Sequence, residues 1–128
     1  APARVGTAGG EGVVDPQALE TLRALEREAG SDVLSNMIGL FLANSPELIR
    51  RMRRAIESRD PADLVLAAHS MKSSSGYLGA RRLETLCREL EALGTSGDVA
   101  LAPQRLADVE NEYARVTVVL EASRQGEG

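Results

Sequence analysis

Ala67-Ala68-His69-Ser70-Met71-Lys72-Ser73-Ser74-Ser75-Gly76-Tyr77-Leu78-Gly79-Ala80-Arg81-Arg82-Leu83-Glu84-Thr85-Leu86-Cys87-Arg88-Glu89-Leu90-Glu91 is the stretch that decides the architecture. Leu64, Ala68, Met71, Ser75 and Leu78 recur at steps of four, three, four and three, which is the buried stripe of an α-helix. Asp60 suits the N-cap of that helix and Pro61 its first turn. Gly79 suits the left-handed closing position. His69 is the single histidine of the chain and falls away from the stripe. Ala62, Val65, Lys72, Ser73 and Gly76 share its side, three, four or seven residues away.

The same periodicity extends in both directions. A first helix should begin at Asp15-Pro16, turn Leu19, Leu22 and Leu25 inward and stop at Gly30. A second should begin at Ser31 or Asp32, with Val33, Leu34, Met37, Ile38 and Phe41 inward. Near Asn44-Ser45-Pro46 it must kink or restart, with Ser45 suited as a cap, and Leu48, Ile49, Met52 and Ile56 continue it to Arg59. After the His69 helix, one helix should run over about 80–93, closed by Gly94, and a last one over about 100–123 through Leu106, Val109, Tyr113, Val116 and Leu120. Short links between long amphipathic helices imply antiparallel neighbours. The expected fold is all-α, an antiparallel up-down four-helix bundle with a short additional N-terminal helix. Residues 1–12 are poor in bulky apolar side chains and read as a flexible leader or linker. Residues 13–124 read as the bundle and 125–128 as a flexible tail.

Composition narrows the function. The chain has 128 residues, enough for one domain, and is 43% hydrophobic but 2% aromatic, so its core is aliphatic and suited to helices. A net charge of −4 argues against nucleic-acid binding. No apolar run reaches the ~18 residues of a membrane span, and no signal-peptide core is present. Cys87 cannot form an internal disulfide and sits on an apolar stripe, which fits a cytoplasmic setting. One histidine and one cysteine give no metal-ligand set, and no phosphate-cradling glycine loop occurs. Arg50, Arg51, Arg53 and Arg54 form a basic run, read either as a solvated helix face or as a surface that steers an acidic partner.

A lone helical histidine is more often structural or merely solvated than reactive. Here its neighbours are unusually small, whereas a solvated face carries long charged side chains. Such a face leaves room for a close-docking macromolecule beside a group able to carry a phosphoryl. The run His69-Ser70-Met71-Lys72-Ser73-Ser74-Ser75, closing in Tyr77-Leu78-Gly79-Ala80, resembles the signature of histidine-containing phosphotransfer (HPt) domains. Leu83, Leu86, Cys87, Leu90 and Glu91 resemble the family's next helix, and Phe41-Leu42-Ala43-Asn44-Ser45-Pro46 its Phe-Leu-x-x-x-Pro stretch. The resemblance spans about residues 13–122, and it departs from the family at Ser73, where glycine is usual.

The resemblance implies a two-component phosphorelay. A response-regulator receiver domain would pass a phosphoryl group from its aspartate to Nε2 of His69, and a second receiver would take it on. Lys72 would offset phosphate charge, and Ala62, Val65, Ser73 and Gly76 would floor the docking surface. The domain would have no cofactor or metal of its own, the divalent metal belonging to the receiver. It would be a monomeric phosphoryl carrier without kinase activity of its own, with no nucleic-acid or membrane partner. The absence of an initiator Met fits a segment of a longer protein, such as the terminal domain of a hybrid sensor kinase. Three other readings compete. A catalytic histidine kinase would need ATP-binding motifs and an acidic residue after the histidine, where Ser70 stands. A helical scaffold would leave His69 unlabelled. A pseudo-HPt would bind a receiver without carrying phosphate.

Overall fold

Asp15 accepts a hydrogen bond from the backbone N–H of Gln17 at 2.9 Å and opens α1, Pro16–Ala29, which Gly30 closes at φ 67°. The computed structural model describes residues 13–124, so the expected leader and tail lie outside the described residues. Four longer helices follow: α2, Val33–Glu57; α3, Pro61–Tyr77; α4, Arg81–Ser96; and α5, Ala102–Arg124. A single 3₁₀ turn, Val99–Leu101, leads into α5. Among the described residues there is no strand, and no helix is long and apolar enough to cross a membrane.

Each of α2 to α5 packs on the next, and α5 returns to α2, so the four close a ring around one aliphatic core; α1 leans on α2. Ile38, Met52, Leu64, Met71, Leu83, Leu90, Val109 and Leu120 are wholly enclosed in it. The rings of Phe41 and Tyr113, 5.7 Å apart, join α2 to α5. Cys87 is buried there, and loss of hydration pushes its thiol up to about 12, so it acts as a small apolar side chain.

Three expectations need correction. First, α2 does not restart at Pro46; it runs unbroken through it, and Ser45 points into the core at 1% exposure instead of capping a new helix. Pro46 offers no N–H to the carbonyl of Leu42, a defect of about 3 kcal/mol. Burial of Ile38 and Phe41 before it and Ile49 and Met52 after it anchors both halves in the same core. Second, α4 passes through Gly94 and ends at Ser96, where Gly97 takes the left-handed conformation at φ 77°. Gly94 serves close packing: a Cβ there would sit 2.7 Å from Val65 Cγ2 and 3.0 Å from the Pro61 carbonyl oxygen. Third, Leu25 is 46% exposed, because α1 has a helical neighbour on one side only and its last turn overhangs.

The start of α2 is capped from another helix. Asp32 makes no side-chain cap bond, and the Glu26 carboxylate of α1 accepts from the backbone N–H groups of Leu34 at 2.8 Å and Ser35 at 3.4 Å. A carboxylate there also faces the positive end of the helix dipole. The α3–α4 turn is tied to the chain's start. The Asp15 N–H donates to the Gly79 carbonyl at 2.8 Å, and Gly79 has φ 80°, with Ala18 Cβ only 2.6 Å from where a side chain would begin.

Candidate functional site

Helix α3 sets the position of His69. Asp60 accepts from the Asp63 N–H at 3.1 Å, and Leu64, Ala67, Ala68, Met71 and Ser75 take the buried positions. That phase leaves His69 outward, its side chain 58% exposed. The imidazole is nonetheless held. Its Nδ1 lies 2.9 Å from Glu91 Oε2 on α4, and Lys72 Nζ donates to the other oxygen, Glu91 Oε1, at 2.6 Å.

This carboxylate determines the tautomer. The hydrogen bond from Lys72 is the chief cause that holds Glu91 below its ordinary value of 4.5; partial burial opposes it, and the His69 contact adds to the lowering. Glu91 is therefore ionised at neutral pH and can only accept hydrogen bonds. Nδ1 of neutral His69 must then carry the proton, which leaves the lone pair on Nε2. Among the described residues no hydrogen bond engages Nε2.

The residues grouped on the wheel separate in three dimensions. Ala62 and Ser73 are exposed. Val65 is half-buried against Gly94, and Gly76 is half-buried beneath Glu84, whose Oε2 is 3.0 Å from where a Cβ would stand. Lys72, on the side of the helix away from the stripe, is only 23% exposed and is ion-paired with Glu91. The reason is the same in each case: periodicity gives the side of a helix, not which neighbour flanks that side, and here α4 does. The basic run is likewise ion-paired within the protein, four arginines to three carboxylates. Arg51 pairs with Asp63 at 2.7 Å, Arg50 and Arg54 pair with Glu47 at 2.8 and 3.2 Å, and Arg53 pairs with Glu110. It forms a salt-bridged face, not a free cationic patch.

Sequence reasoning missed Glu91 and an apolar rim. The signal for Glu91 was the hairpin itself: His69 lies eleven residues before Ala80 and Glu91 eleven after it, so an antiparallel pair sets them level. The rim comprises Leu66 on α3, 59% exposed, Tyr77 at the end of α3, 70% exposed, and Leu40 on α2, 63% exposed. Leu40 and Tyr77 flank an open cleft between α2 and α3 that Phe41, Ser45, Ser70 and Ser74 also line. Leu66 stands one turn before His69 on α3, and the cleft reaches Ser70, the residue after it.

The site is thus an outward histidine on a closed ring of four helices, with a carboxylate from the adjacent helix at its Nδ1. The Hpt domain family matches residues 36–118, and the chain belongs to that family. It is 27% identical over 114 residues to histidine-containing phosphotransfer protein 2 of Arabidopsis thaliana, covering 87% of this chain and 72% of that protein. It is 33% identical over 87 residues to the signal transduction histidine-protein kinase BarA of Escherichia coli K12, covering 66% of this chain and 10% of that longer protein. The crystal structure of histidine-containing phosphotransfer protein B from Pseudomonas aeruginosa superposes with a TM-score of 0.80 at 27% identity, covering 88% of this chain and 95% of that one. The function of the chain is histidine phosphotransfer in a phosphorelay, and receiver domains are the class of partner this entails.

Proposed function

We propose that His69 is the phosphoryl carrier, taking the group from a receiver aspartate on Nε2 and yielding it to another receiver. The observation behind this is the Nδ1 contact to ionised Glu91, which leaves the nucleophilic lone pair on the outward nitrogen. As the Nε2–P bond forms, the P–O bond to the receiver aspartate breaks and that carboxylate leaves. The ring gains positive charge in the transfer, and Glu91, 2.9 Å from Nδ1, stabilises it. Lys72 acts chiefly by anchoring Glu91, at 2.6 Å, and secondarily as a cation near the transferring oxygens. The receiver docks over Ala62, Leu66, Ser73 and Tyr77, with Val65 and Gly76 forming the floor toward α4.

The test is labelling by a phosphorylated receiver. Wild-type protein should acquire an acid-labile, base-stable label that His69→Gln abolishes; label retained in that variant excludes His69 as the carrier. Ser73→Arg should fold normally, since arginine is a good helix former at an exposed position, and should block docking by bulk and charge. Normal folding with normal transfer in Ser73→Arg would place the receiver elsewhere.

A further inference from the structure

A phosphoryl group on Nε2 of His69 would bring about two negative charges next to the carboxylate of Glu91. The nearest cation, Lys72, is already engaged by that carboxylate at 2.6 Å and is mostly enclosed. A further donor is therefore needed, and α4 carries one. Lys72 lies eight residues before Ala80 and Arg88 eight after it; Gly76 and Glu84 stand four to either side. The contacts of His69 with Glu91, and of Gly76 with Glu84, show that this pairing by distance from Ala80 holds along the hairpin. Arg88 is thus level with Lys72 and three residues, about 4.5 Å of helix, from Glu91.

We infer that Arg88 is the second phosphoryl-binding cation of this site, leaving Glu84 to contact the phosphoryl oxygens on His69. Its guanidinium is free to do so. The side chain is 58% exposed, and its link to Glu84 Oε2 is long, at 3.4 Å. Glu84 keeps a partner when Arg88 moves, because Arg81 Nη1 stands 3.5 Å from its other oxygen. On α3 the position beside Lys72 is Ser73, exposed and carrying only a hydroxymethyl group, so no bulky side chain from there stands in the way of Arg88. The positive charge of the guanidinium offsets the negative charge of the phosphoryl oxygens, which accept hydrogen bonds from its N–H groups.

This inference rests on His69 being the carrier, and phosphoramidate as a small phosphoryl donor separates the two. In that reaction the donor's P–N bond breaks, the Nε2–P bond forms and ammonia leaves, so no receiver is involved. Arg88→Gln should be labelled about 5- to 10-fold more slowly than wild type with an unchanged melting temperature, and Arg88→Lys should recover most of the rate. The ³¹P resonance of the phosphohistidine should shift in Arg88→Gln. Labelling of Arg88→Gln at the wild-type rate would overturn the role of Arg88 and leave His69 standing, as would Arg88→Lys labelled as slowly as Arg88→Gln. Failure of wild type to label, or labelling unchanged in His69→Gln, would overturn the carrier reading and this one with it.

Discussion

In the proposed mechanism Glu91 acts through His69 rather than on the phosphoryl group, so its loss should slow transfer without abolishing it. Glu91→Gln can accept or donate, and the ring loses its enforced tautomer; a fall of about 10-fold in transfer from a phosphorylated receiver is expected, against complete loss in His69→Gln. The ionic contacts of Glu91 should also show in stability. Its carboxyl is held below 4.5, chiefly by the Lys72 hydrogen bond, so the folded protein takes up that proton less readily than the unfolded chain does. The stabilisation is therefore complete above about pH 5 and is lost as pH falls below 4.5 through the folded value. Denaturant midpoints of wild type and Glu91→Gln should differ by a constant amount above about pH 5 and converge in more acidic solution. His69 stands out in the sequence because it is unique and small side chains surround it. Glu91 stands out only when the two helices are paired about Ala80, because along α4 alone nothing distinguishes it from Glu84 or Glu89.

Helix limits were readable wherever a side chain closes its own helix. Asp15, Gly30, Asp60 and Gly79 all do what their chemistry suggests. Readings failed where a partner helix decides. Glu26 caps α2 from α1, Gly94 makes room for Val65, and Pro46 is carried through by the core on both sides. Pro46 is thus a defect tolerated by packing. Pro46→Ala should restore the N–H that the Leu42 carbonyl lacks and raise stability by about 1–2 kcal/mol, read as a melting temperature several degrees higher. A lower melting temperature would mean that α2 needs the proline's shape at that point.

The bundle as a whole followed from apolar spacing and short links, both local quantities that survive any exchange of surface residues. Its surface chemistry did not follow. The net charge of −4 and the arginine run suggested an electrostatic handle, yet those arginines are matched by carboxylates on α2, α3 and α5. The exposed apolar side chains Leu40, Leu66 and Tyr77 form a rim shared by α2 and α3, which spacing along one helix does not bring together. The mirror arrangement of α3 and α4 about Ala80 has a bearing on inheritance. Everything that positions His69 lies within one hairpin whose parts must stay in step, so the loop between them cannot change in length, and at Gly79 it cannot change in residue either. One residue added between Leu78 and Ala80 would turn α4 by about 100° and carry Glu91 away from His69. Such an insertion should leave a helical protein by circular dichroism and cut transfer at least as far as Glu91→Gln does. Extra residues between α4 and α5, remote from this pairing, should pass unnoticed by the relay.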